Sequence, residues 1–231
     1  LLSLLVAMVA LSSCRKEEEI IPSSRVRVGV PGRPGKIKGF FLLNEANMGS
    51  NKATLDYYDY TTAFYTRNIY AERNPNVVKE LGDVGNDLQV HGSRLYAVIN
   101  VSGLIEVMDV RTAKHIGKLS IPNCRYIVFK DGFAYVSSYA GPVKIDPNAR
   151  LGYVAKVDTA TFKVVAECPV GYQPEELLIQ GDKLYVANSG GYRAPNYDKT
   201  ISIIDLKTFT EEKQVDVAIN LHRLQLDNYG K

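Results

Sequence analysis

Apolar and polar residues alternate in short runs along most of this chain, as in "RLYAVIN" (94–100), "FAYVSSY" (133–139) and "KLYVANS" (183–189). Each run follows a glycine-containing turn: "HGS", "DGF" and "QGD". A period of two bounded by turn residues predicts half-buried β-strands, and no stretch carries a convincing 3.6-residue period.

The runs fall into a longer repeat. "LDYYDYTTAF", "IEVMDVRTAKH", "VAKVDTATFKV" and "ISIIDLKTFTE" each place an aspartate three residues before a threonine after a strand. The aspartates are Asp59, Asp109, Asp158 and Asp205, at steps of 50, 49 and 47 residues. Several strands per unit at that spacing predict an all-β fold, a β-propeller with blades of about 48 residues. An aspartate ending a strand accepts hydrogen bonds from the N–H groups of the next turn. The four carboxylates are therefore expected to be hairpin staples, one per blade, and not a site.

The second blade is laid out as strands at 88–90, 95–99, 104–108 and 115–119, with the third and fourth in the same order and inner strands near 126–129 and 177–179. The first has strands at 40–43, 55–58 and near 64–70, with no clear inner strand of its own. After the fourth, "NLHRLQLD" (220–227) reads as one more inner strand, and "NYGK" as the turn after it. Two architectures fit: that strand closes onto the first blade in a four-bladed ring, or about four blades form a fragment of a larger one. The fragment is the expectation, with an exposed, aggregation-prone edge.

The N-terminus reads differently. An apolar run of about thirteen residues is short of the roughly 20 needed to cross a bilayer, and fits the core of a secretory signal. No initiating Met and no basic segment precede Leu1, so the chain is expected to start late. Residues 1–13 are assigned to the signal, 14–36 to Cys14 and a flexible tether, and 37–231 to propeller blades, the last incomplete. The tether, rich in Pro, Gly and Ser over 20–36, also has room for a short edge strand.

Composition narrows the classes. A net charge of +3 with both signs mixed gives no nucleic-acid surface. Tryptophan is absent, but fifteen tyrosines supply amphipathic rings for surfaces and stacking loops. Cys124 and Cys168 lie in strand-like contexts; they have the option of pairing, but buried free thiols are the favoured reading.

Leu11-Ser12-Ser13-Cys14 resembles the lipobox of bacterial lipoproteins, which implies cleavage before Cys14 and its acylation; an ordinary signal with an incidental cysteine is the bland alternative. Lys16-Glu17-Glu18-Glu19 resembles the export signal that takes Bacteroides-type lipoproteins to the outer cell surface, and its bland alternative is a solvated charge run. "GDKLYVANSGG…TISIIDLKT" resembles the YVTN or YncE-like propeller repeat. With "NLHRLQLDNYG", the lipobox and the acidic cluster, the chain resembles the surface propeller lipoproteins that include the BtuG-like proteins. That resemblance implies a seven-bladed ring, capture of a small-molecule nutrient such as cobalamin, a TonB-dependent outer-membrane transporter as partner, and attachment to the membrane through lipid. No cofactor is implied.

In a propeller, the loops leading into inner strands share one face with those joining second and third strands. Here the first set is "VGND", "IPNCR", "VGYQPEE" and "AINLHR", and the second "NEANMGSNKAT", "NVSG", "SYAGPVKIDPNARLG" and "NSGGYRAPNYDKT". Long, polar, tyrosine-bearing loops suit a large, partly apolar ligand with amide groups. Tyr192, Arg193, Asn196 and Tyr197 are the first candidates, followed by Tyr139, Tyr172, Asn44, Glu45, Asn100 and Arg125, with His222 and Arg223 on the last loop. Each has a structural alternative: Asn satisfies backbone at a blade mouth, Arg125 pairs with a neighbouring blade, and tyrosines cap the core.

His91, His115 and His222 show no metal-ligand spacing, and CxxC, G-x-S-x-G and phosphate-loop patterns are absent. "DPNAR" lacks the spaced oxygens of a Ca²⁺ loop. Three classes remain: nutrient capture first, then a protein-binding scaffold or adhesin, then an enzyme of the lyase or quinoprotein kind. A concave, tyrosine-lined mouth marks the first, a flat apolar patch the second, and a convergent titratable cluster at the channel the third.

Overall fold

The computed structural model describes residues 21–33, 35–77, 80–227 and 229–230. The signal, Cys14 and the charge run at 16–19 lie outside the described residues.

Among the described residues, sixteen strands form four antiparallel four-stranded sheets, the blades of a propeller. Blade 2 runs outward as β5 (Gly85–His91), β6 (Arg94–Ile99), β7 (Leu104–Asp109) and β8 (His115–Ser120). Blade 3 repeats the order with β9 (Cys124–Lys130), β10 (Phe133–Ser138), β11 (Tyr153–Asp158) and β12 (Lys163–Pro169). Blade 4 does so with β13 (Pro174–Gln180), β14 (Lys183–Asn188), β15 (Thr200–Asp205) and β16 (Thr210–Asp216).

Blade 1 differs. Its strands β1 (Ser24–Arg27), β2 (Gly39–Asn44), β3 (Thr54–Asp59) and β4 (Phe64–Arg67) lie in the order β1-β4-β3-β2. The repeat aspartate ends the third strand of blades 2 to 4, and Asp59 ends β3. By that register β2 is a second strand, and it packs on β5 as β6 packs on β9 and β10 on β13. The innermost position beside β2 is unfilled among the described residues, and β1 is an extra strand on the outer edge. β1 is the edge strand expected within 20–36, so the blade begins inside the segment read as tether.

The expected strand over 64–70 stops at Arg67. Asn68 turns left-handed (φ 47°) and caps a five-residue helix, α1 (Ile69–Arg73), while Asp56 accepts the Asn68 N–H at 2.8 Å. Ile69 and Tyr70 of that helix enter the core, which is why the sheet ladder is abandoned there.

Core strands bury both faces, one against each neighbour. Leu95, Ala97 and Ile99 of β6 pack toward blade 1, whereas Tyr96 and Val98 pack toward blade 3. On β10, Ala134 and Val136 face blade 2 while Tyr135 faces blade 4. A buried Leu or Ile side chain contributes about 1.5–3 kcal/mol, so these interfaces hold the array together. There are three hydrophobic clusters, between blades 1 and 2, 2 and 3, and 3 and 4. A closed ring of four would need a fourth, so among the described residues the blades form an open arc, consistent with a fragment of a larger ring.

The inner strand expected at 220–227 is not formed as a strand. The segment follows β13, with the Glu176 N–H donating to the His222 carbonyl at 3.4 Å, and Leu224 and Leu226 facing Leu178 and Tyr185. It takes the position of an inner strand, and among the described residues no ladder pairs with it.

The staples are confirmed. Asp109 Oδ1 accepts the N–H groups of Arg111 (3.0 Å) and Thr112 (2.9 Å), and Asp158 Oδ1 those of Ala160 (2.9 Å) and Thr161 (2.7 Å). Asp59 and Asp205 do the same with Thr61 and Thr62, and with Lys207 and Thr208. Cys124 and Cys168 are free and buried, as favoured.

Candidate ligand-binding mouth

Each inner segment begins in the same way. Val84, Asn123, Gln173 and Asn220 adopt left-handed φ values of 63°, 43°, 47° and 60°. Register shifts follow at once, between Gly85 and Asp87, opposite Val136 to Ser138, and between Pro174 and Leu177. Such β-bulges re-aim side chains at the end of a sheet. Two consecutive side chains are thereby presented at the start of each inner segment: Asn86 and Asp87, Arg125 and Tyr126, Glu175 and Glu176, His222 and Arg223.

These groups answer one another across blades. Glu175, 3% exposed, accepts from Arg125 Nε at 2.9 Å, from the Tyr139 hydroxyl, and from Ser189 Oγ at 3.4 Å, with His222 Nδ1 3.7 Å away. Burial works against the Arg125 charge, but the Glu175 carboxylate together with Tyr139 and Tyr126 holds the guanidinium above its ordinary pKa. Burial and then the Glu175 charge push the Tyr139 phenol up. His222 Nε2 meets the Tyr126 hydroxyl at 3.0 Å, and Arg223 donates to Glu176 at 3.2 Å. Asp87 accepts the Ile127 N–H at 3.0 Å, and burial raises its pKa.

Two long loops meet above this wall, 139–151 from blade 3 and 189–199 from blade 4. The Asp146 N–H donates to the Tyr192 carbonyl at 2.8 Å, and Arg193 Nη2 and Asn196 Nδ2 both donate to the Pro147 carbonyl, at 3.1 and 3.4 Å. The Arg193 guanidinium lies 3.5 Å from the centre of the Tyr172 ring. Below the clasp is a cavity of about 370 Å³ lined by Tyr139, Lys144, Asp146, Asn148, Arg150 and Gln173, among others. The Tyr192 ring meets Tyr139 edge-on at 6.3 Å.

Of the residues expected at the mouth, Tyr139, Tyr172, Tyr192, Arg193 and Asn196 come together between blades 3 and 4, and Tyr197 lies on the same loop as the last three. Arg193 and Asn196 are used to clasp the loops, and Tyr192 and Tyr197 keep exposed rings (36% and 43%). Arg125, His222 and Arg223 line the channel wall. Asn44 and Asn100 are structural: Asn44 Nδ2 donates to Thr54 Oγ1 at 2.9 Å, and Asn100, fully buried, to the Cys124 carbonyl at 3.0 Å. Glu45 is exposed at the far end of the arc, its carbonyl accepting the Gly85 N–H at 3.0 Å.

Sequence reasoning missed Glu175 and Gln173 as individual residues, although their loop was singled out. The signal for Glu175 was its register with Arg125, each two residues past the left-handed position of its own blade. Among the described residues, no group of three or more His, Cys, Asp or Glu side chains is placed to hold a metal ion. A larger cavity of about 760 Å³ lies at the opposite end of the strands, between β2 and blade 2, lined by Phe40, Phe41, Leu88 and Val90. It adjoins the unfilled inner position of blade 1.

Four radially ordered sheets, with bulged inner strands and loops gathered at one end, define a β-propeller. A family model described as a domain of unknown function, DUF5074, matches residues 38–167, more than half of the chain, and the chain belongs to that family. No curated protein matches. Among solved structures, the chain is similar to hydrazine synthase of Kuenenia stuttgartiensis, at 16% identity and a TM-score of 0.62, over 84% of this chain and 51% of that one. It is also similar to BamB from Moraxella catarrhalis, at 14% identity and a TM-score of 0.56, over 83% and 51% of the two chains. Apo AztD from Citrobacter koseri gives 15% identity and a TM-score of 0.51, over 81% and 46%. At such identities the likeness is one of fold. The chain spans about half the length of the structures it matches.

Proposed function

We propose that this propeller is a surface-exposed, lipid-anchored lipoprotein of the outer membrane that captures a small-molecule nutrient at the mouth between blades 3 and 4. The observation that carries the reading is the recess of about 370 Å³ beneath the clasped loops, with Tyr139 in its lining and the Tyr192 ring edge-on to Tyr139. A recess of that kind encloses a small molecule, whereas docking of a protein favours a broad apolar face.

The channel wall supports binding over turnover. Most of its charges are spent on one another, Arg125 on Glu175 and Arg223 on Glu176, with Tyr139 also bonded to Glu175, while His222 meets the Tyr126 hydroxyl. A general acid or base needs a free proton site within reach of a substrate. The lipid anchor, the cell-surface address and delivery to a TonB-dependent transporter rest on the resemblance of the N-terminus and the repeats to BtuG-like lipoproteins. That resemblance makes a corrinoid the first ligand to try.

The test is calorimetric titration of the lipid-free protein with cyanocobalamin. The expected result is one-to-one binding, weakened by Tyr192→Ala or Tyr197→Ala. Absence of heat and of co-migrating pigment removes the corrinoid and brings the protein-binding scaffold forward.

A further inference from the structure

Gln173 begins the inner strand of blade 4 and is 2% exposed. Its side chain is fixed from one side, because the Tyr192 N–H donates to Oε1 at 2.6 Å. That bond orients the amide and sends Nε2 the other way. An amide nitrogen carries two donor hydrogens, and among the described residues Gln173 Nε2 has no acceptor in the protein. The same side chain lines the 370 Å³ cavity. A buried amide with an idle donor facing a recess is built to meet an acceptor that arrives from outside.

The charges of the cavity name the acceptor. Lys144 lies 3.6 Å from Asp146, so those two compensate each other. Arg150, exposed on the rim, is left as the uncompensated charge of the lining. Tyr139 supplies a flat wall, with its hydroxyl already committed to Glu175. A carboxylate is acceptor-only and planar, and matches both an amide N–H and a guanidinium fork.

We propose that this cavity is a carboxylate subsite, in which Gln173 Nε2 donates to one carboxylate oxygen of an acidic small molecule and Arg150 neutralises its charge from the rim. The inference rests on the mouth being the capture site and narrows the ligand. The amides of a corrinoid offer a carbonyl to Gln173 but no charge to Arg150.

The test uses the full chain labelled with ¹⁵N and follows the side-chain amide resonances of Gln173. Succinate is the probe, with succinamide as its neutral match and inorganic phosphate as an anion of different shape. Succinate should shift the Gln173 amide saturably, with succinamide and phosphate each weaker by about tenfold or more. Followed through the backbone amides of Gly141 and Ala149 at the cavity, Gln173→Met and Arg150→Gln should each weaken succinate by about tenfold. Arg150 is exposed, so its variant keeps the test informative if Gln173→Met does not fold. No saturable shift, equal binding of phosphate, or unchanged affinity in Arg150→Gln overturns the subsite. Cyanocobalamin binding without succinate binding overturns the subsite alone, and succinate binding without cyanocobalamin removes only the corrinoid.

Discussion

Arg125 Nε and Glu175 Oε2 lie 2.9 Å apart, joining the inner strands of blades 3 and 4 with both side chains largely withdrawn from water. The pair shows how a radial array is tied near its axis, where the strands are too far apart for a ladder. Removing one partner strands the other charge, which typically costs about 3–5 kcal/mol. Arg125→Met should therefore lower the urea midpoint strongly, and Arg125→Met with Glu175→Gln, which keeps an acceptor for the Tyr139 hydroxyl, should recover most of the loss. Equal destabilisation by the single and double changes would show that the pair itself is not the source.

Asp205 is the staple with the largest shift in acidity. The Lys183 ammonium at 2.8 Å, then the N–H groups of Thr208 and Lys207, hold its pKa at about 2. The unfolded value is about 3.9. A depressed folded pKa gives stability that is present above the unfolded value and lost as pH falls through the folded one. Asp205→Asn should melt below the parent at neutral pH, and the gap should close between about pH 4 and pH 2. A gap that stays constant over that range would assign the loss to geometry and not to charge.

The face of β2 turned away from blade 2 exposes Phe40 and Leu42 (44% each), on a strand whose inner edge is unpaired among the described residues. Unpaired apolar edges invite strand addition, and lysine blunts them. Leu42→Lys should reduce self-association in light scattering without lowering the melting temperature. Undiminished association would place the sticky surface elsewhere.

Arg193 bridges the two mouth loops through the Pro147 carbonyl while stacked on Tyr172. Arg193→Ala should release them, raising hydrogen exchange at the Asp146 amide by about tenfold while leaving the blade cores protected. Unchanged exchange at Asp146 would mean that its own bond to Tyr192 suffices.

Local signals were the legible ones. The alternation in "RLYAVIN" and the Asp-x-x-Thr repeat located blades 2 to 4 and the role of the aspartates, because a hairpin and its staple involve residues close in sequence. The helix after β4 was not legible: Asn68 turns left-handed to satisfy Asp56, a contact twelve residues away. At the mouth, the loops were visible as loops, but Arg193 and Asn196 read as ligand contacts turned out to clasp a loop nearly fifty residues back.

The strand period, the blade length, the four staples and the face on which the long loops gather were written in the residue pattern. Each depends on neighbours within one hairpin or one repeat. That Glu175 collects Arg125, Tyr139 and Ser189, that Gln173 faces a cavity with an idle donor, and that the inner position of blade 1 is unfilled among the described residues emerged with the packing of the blades. Those relations join residues from different blades, and burial and charge across such distances are set by how the blades stack.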